Sequence, residues 1–132
     1  MNVFFAVLAA AILSCNTVAT MPDVHLKLTT DGGFTGRGVG AITVDASKAT
    51  TERCTSSLTR EELQQLGDAI AAAKKSAWKD SYGNAHPDAV QWTMEVDDRK
   101  AVWYDSSDVP KEIGALRDAA WKVRERVNRE CK

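Results

Sequence analysis

Hydrophobic and polar positions alternate along several stretches of this chain. In "VHLKLTT", Val24, Leu26 and Leu28 fall on one face and His25 and Lys27 on the other. This period of two predicts a half-buried strand. "VGAITVD" repeats the pattern with Ile42 and Val44 on the core face, and "AVQWTMEV" sets Val90, Trp92, Met94 and Val96 against Gln91, Thr93 and Glu95. "DDRK" then turns the chain, and "AVWYD" returns as a further strand. Two segments change to the helical period. "LTREELQQLGDAIAAAKKSAW" carries an apolar stripe of Leu63, Leu66, Ile70 and Ala73. Thr59 with Glu62 three positions on forms a capping box, and Leu58 with Leu63 a hydrophobic staple. The last helix has the stripe Ile113, Leu116, Ala120, Val123 and Val127; Ser107 or Asp108 is its expected cap, with Pro110 in its first turn. "ASKATTERCTSS" and "DSYGNAHPD" read as connections, rich in turn-forming residues.

The order is strand, strand, helix, strand, strand, helix. It predicts an α+β fold of type ββαββα, a four-stranded antiparallel sheet with both helices on one face. The predicted domain covers residues 20–132. Before it, Val3 to Leu13 is apolar, too short for a membrane span of about 20 residues but suited to the core of an export signal. Two cleavage positions compete: after Ala19, or before Cys15, which would then carry a lipid. Either way the expected destination is outside a bacterial cytoplasm, as a periplasmic, secreted or outer-membrane-anchored protein. Removing or lipidating Cys15 leaves Cys54 and Cys131 of the three cysteines, an even pair in an oxidising compartment. A disulfide between them is expected, and loop-closure entropy credits it with about 4 to 5 kcal/mol.

Charge adds little. The net charge of −1 gives no electrostatic ground for nucleic acid or for an anionic membrane surface. A membrane contact would come only through a lipid on Cys15. The mildly basic end, "WKVRERVNRECK", also complements the negative C-terminus of a helix dipole.

Candidate chemistry is sparse. His25 and His86 are the two histidines, and neither belongs to a zinc-spaced cluster. His86 and Asp88 in "HPD" read as a turn, no serine sits in a nucleophile elbow, and Asp97 and Asp98 are turn formers. No enzyme activity and no cofactor is expected.

The unusual stretch is "TTDGGFTGRGVG", which holds five of the eight glycines. Phosphate-binding glycine loops join a strand to a helix, whereas this one joins two strands, so phosphate binding is rejected. A hairpin turn needs one or two glycines. The surplus, with Phe34 and Arg37 among the glycines, suggests a contact surface made of Gly32, Gly33, Phe34, Gly36 and Arg37. Two orientations of Phe34 remain open: presented outward, or folded back onto the core. Among the tryptophans, Trp103 points opposite to Val102 and Tyr104, so one of these aromatics should face out. Trp103 is taken as a second candidate contact.

The arrangement resembles the emfourins, small bacterial inhibitors of thermolysin-like metalloproteases. The resemblance is carried by "VHLKLTTDGGFTG", by "ITVD" followed by "LTREELQQL", and by "HPDAVQWTMEV" with its returning strand and "VPKEIGAL". It runs in element order from about Val24 to Val127. The export signal, the cysteine pair, the linker "SKATTERCTSS" and the extended last helix depart from it. The resemblance implies a protein partner, a metalloprotease, met through the glycine-rich hairpin. The rival expectation is an envelope protein, lipid-anchored or free, that recruits another protein through Trp103 or the basic last helix.

Overall fold

The computed structural model describes residues 23–132. The expected export signal, both expected cleavage positions and Cys15 lie outside the described residues. The apolar alternations become strands β1 (Val24–Gly32), β2 (Ala41–Ala46), β6 (Val90–Val96) and β7 (Arg99–Tyr104). β1 pairs antiparallel with both β2 and β6, and β6 with β7. Three further strands widen the sheet: β3 (Lys48–Thr51), β4 (Thr55–Ser57) and β5 (Ser81–Tyr82). The order is β4-β3-β2-β1-β6-β7-β5, and β5 runs parallel to β7.

The expected four-stranded antiparallel sheet is therefore corrected to a mixed sheet of seven strands. β3 escaped notice because its inward positions are Ala49 and Thr51, one small and one polar, which leave no apolar signal in "KATT". β5 is only two residues long, too short for any periodicity.

Helix α1 (Arg60–Lys75) begins with the expected capping box: Thr59 Oγ1 accepts from the Glu62 amide at 3.1 Å, and Glu62 Oε1 accepts from the Thr59 amide at 2.8 Å. Helix α2 (Lys111–Glu130) starts later than expected, with Pro110 as N-cap and no side-chain cap. A residue preceding proline is pushed toward extended backbone, which keeps Val109 out of the helix. Ser107, one of the expected caps, instead accepts from the Tyr104 amide at 3.3 Å.

Both helices pack on one side of the sheet, against the face bearing Leu26, Leu28, Ile42, Val44, Met94 and Val96. All of the expected α2 stripe is buried, as are Leu63, Leu66 and Ala73 of α1. Arg126 of α2 reaches the same Glu62 carboxylate at 2.6 Å, so one side chain caps α1 and joins the helices. The opposite sheet face is polar; His25 Nδ1 lies 2.9 Å from Asp45 there, and Lys27 pairs in register with Glu95.

The expected disulfide is present. Cys54, after β3, is bonded to Cys131 at the end of α2, with Cα atoms 6.0 Å apart.

Candidate functional site

The last ladder pair between β1 and β2 is Thr29 with Ala41. Beyond it β1 continues alone against β6, ending where Gly32 pairs with Val90. The chain then folds into a closed tip. The Gly36 amide donates to Gly33 O at 3.1 Å, which makes Phe34 and Thr35 the centre of a β-turn. The Gly38 amide donates to Gly32 O at 2.8 Å and closes the base. The Gly33 amide donates to Ala89 O at 3.1 Å, fastening the tip to the "HPDA" segment ahead of β6.

Thr30 organises the return leg. Its hydroxyl accepts from the Val39 amide at 2.8 Å and the Gly40 amide at 3.0 Å, and donates to Gly40 O at 2.5 Å. This uses the full bonding capacity of a hydroxyl. Two glycines are dictated by this closeness. Gly38 has φ +70, and a Cβ there would lie 2.6 Å from the carbonyl of Thr30. Gly40 has φ +130, and its Cβ would collide with the guanidinium of Arg124.

Arg124, on α2, clamps the same leg from outside. It donates to Val39 O at 3.1 Å, forms an ion pair with Glu52, and lies 4.3 Å from the ring of Trp121. Partial burial raises the Glu52 pKa. The hydrogen bond from Arg124, those from the backbone amides of Glu52 and Ala41, and the Arg124 charge outweigh it and bring the pKa from 4.5 down to about 2. Trp121 meets Trp92 edge-on at 5.0 Å, and Trp92 stacks with Trp103 at 6.3 Å. The tip is thus braced by α2 and an aromatic cluster.

The exposure of the candidate residues follows. Phe34 is 94% exposed, so of its two open orientations the outward one is found. Arg37 and Gly36 are also exposed, and Gly36 has open space where a Cβ would stand. Val39, 52% exposed, adds a second apolar side chain on the same loop. Gly32 and Gly33 lie at the half-buried base. Trp103 does not join this surface. It is 1% exposed, because it pairs across the ladder with Trp92 on the helix-covered face; the aromatic turned to the other face is Tyr104. Its assignment as a contact residue is corrected to a core position.

Sequence reasoning missed Thr30, Glu52 and Arg124. For Thr30 a signal existed: it continues the inward series Val24, Leu26, Leu28 with a polar side chain, which requires a bonding partner inside. Arg124 flanks the α2 stripe between Ala120 and Val127. Glu52 carried no signal, since it lies in a segment read as loop. His86 and Asp88 are exposed. Among the described residues no three His, Cys, Asp or Glu side chains are grouped to hold a metal ion. The chain matches no protein-family model, no curated protein and no solved structure.

Proposed function

We propose that this protein is an exported, non-enzymatic binding protein that inhibits a thermolysin-like metalloprotease through the tip of its first hairpin. The observation that carries the reading is a fully exposed Phe34 on a backbone closed by its own hydrogen bonds. An aromatic side chain has no stabilising role to play in water, whereas a rigid loop that presents one lowers the ordering cost of binding. The resemblance to emfourins supplies the partner class. Thermolysin-like clefts take an extended peptide beside a zinc ion and favour a bulky apolar side chain on the primed side. Phe34 fills that pocket, and Arg37 meets the acidic rim. Phe34 and Thr35 sit in a β-turn rather than in extended backbone, so the tip offers the side chain without a relaxed, cleavable peptide.

Of the contacts named for the envelope-recruitment alternative, Trp103 is buried; on α2, Arg124 and Arg126 are engaged with Glu52, Glu62 and Glu130, while Lys122 and Arg129 stay exposed.

The test is titration of the oxidised mature protein against thermolysin-like and unrelated proteases. Stoichiometric inhibition confined to the thermolysin-like members is expected, with Phe34→Ala weakening it about 30-fold or more. Inhibition of no member would reject the protease reading. Equal potency of Phe34→Ala would reject the tip mechanism.

A further inference from the structure

The turn joining β3 to β4 is tied to the end of α2 by more than the disulfide. Thr51 Oγ1 donates to Asn128 Oδ1 at 2.5 Å, and the Arg53 guanidinium donates to Asn128 O at 3.3 Å. Asn128 Nδ2 in turn donates to Glu52 Oε1 at 3.2 Å. That carboxylate also holds Arg124 and accepts from the Ala41 amide at 3.3 Å. Arg124 reaches Val39 O, and Gly40 is shaped around its guanidinium. A continuous chain of bonded groups therefore runs from Cys54–Cys131 to the return leg of the tip.

We propose that this disulfide is a redox latch for the tip. The proposal rests on the reading of the tip as the binding surface. The Glu52–Arg124 pair is partly buried, and its geometry depends on the turn staying docked against α2. Only the disulfide makes that docking covalent. Without it the β3–β4 turn lifts from α2, which the buried Val123 and Val127 keep seated, and Glu52 leaves Asn128 and Arg124. Both cysteines are half-buried rather than enclosed, so a small dithiol reaches them. Its thiolate attacks one sulfur, the Cys54–Cys131 bond breaks, and its second thiol displaces the mixed disulfide. Two electrons and two protons pass to Cys54 and Cys131 as thiols, and the reductant leaves as its own disulfide. The oxidised chain presents a preordered tip; the reduced chain keeps its fold with the tip loosened.

Amide hydrogen exchange of the mature protein, oxidised and after dithiothreitol, tests this without any protease. The amides of Val39, Gly40 and Ala41 should exchange about tenfold faster on reduction, while Leu28 and Met94 in the sheet centre stay protected. Unchanged exchange at Val39 to Ala41 overturns the latch. Loss of protection at Leu28 and Met94 as well would make the disulfide a staple of the whole fold, which also overturns it. In Glu52→Gln the same amides should already be fast when oxidised, and reduction should add little. A full further acceleration there would show that the coupling does not run through Glu52 and would overturn the route. Failure of the binding reading would appear instead as absent inhibition with a normal exchange response.

Discussion

Between Val96 and Arg99 the chain reverses on Asp97 and Asp98 alone, whereas between Thr29 and Ala41 it passes through the whole glycine-rich tip. Both connections join adjacent antiparallel strands of the same sheet. The short one shows what the sheet requires: two residues, one of them Asp97 at φ +52, braced by an ion pair to Lys74. Everything beyond that in the long one serves something other than reversal. The long one also recruits distant support: Thr30 from within β1, Ala89 from the segment before β6, Arg124 from α2 and Glu52 from the β3–β4 turn. Bracing from so many elements is what the proposed contact surface requires.

Substitutions should separate the two connections. The largest effect is expected for Gly38→Ala, which forces a Cβ against the Thr30 carbonyl at a left-handed φ. A loss of about 2 to 3 kcal/mol is expected in urea denaturation, while Asp97→Gly in the short turn should change stability by less than about 0.5 kcal/mol. Comparable losses at both sites would erase the distinction.

Thr30→Val should cost about 1 to 2 kcal/mol, because the Val39 and Gly40 amides lose their acceptor together. Exchange should quicken at these amides and stay unchanged at Asp97. A stability equal to that of the parent would mean that the hydroxyl does not hold the leg.

The smallest effect is a dependence on pH. The Glu52 pKa is depressed in the fold, so its contribution is complete above about pH 4.5 and is lost as pH falls toward 2. Glu62 is also lowered: burial opposes its ionisation, but the hydrogen bonds from Arg126 and Thr59 prevail. Glu52→Gln should therefore flatten part, not all, of the fall in stability over that window. An identical slope in parent and variant would remove Glu52 from the account.

The sequence carried the central strands and both helices because their apolar periods are intact. It did not carry β3, whose inward residues are Ala49 and Thr51, nor β5, for want of length. The facing of Trp103 was legible in principle: a two-residue turn at Asp97 and Asp98 puts Trp103 opposite Trp92, on the apolar face. Alternation alone gave the relative direction of neighbours without its sign. Exposure of Phe34 was not legible, since alternation carries no meaning inside a glycine-rich turn. The bracing by Glu52 and Arg124 is long-range, a product of how α2 crosses the sheet, and no local pattern encodes it.

The tryptophan cluster has one more consequence. Trp92 links Trp103 and Trp121, its ring centre 6.3 Å from the first and 5.0 Å from the second, while the Trp78 Nε1 is bonded to Lys100 O. Excitation absorbed anywhere in the cluster is shared among its rings, and the guanidinium of Arg124 lies over the outermost of them. The seating of α2 is thereby written into the colour and circular polarisation of the protein's own near-ultraviolet light, with no label attached.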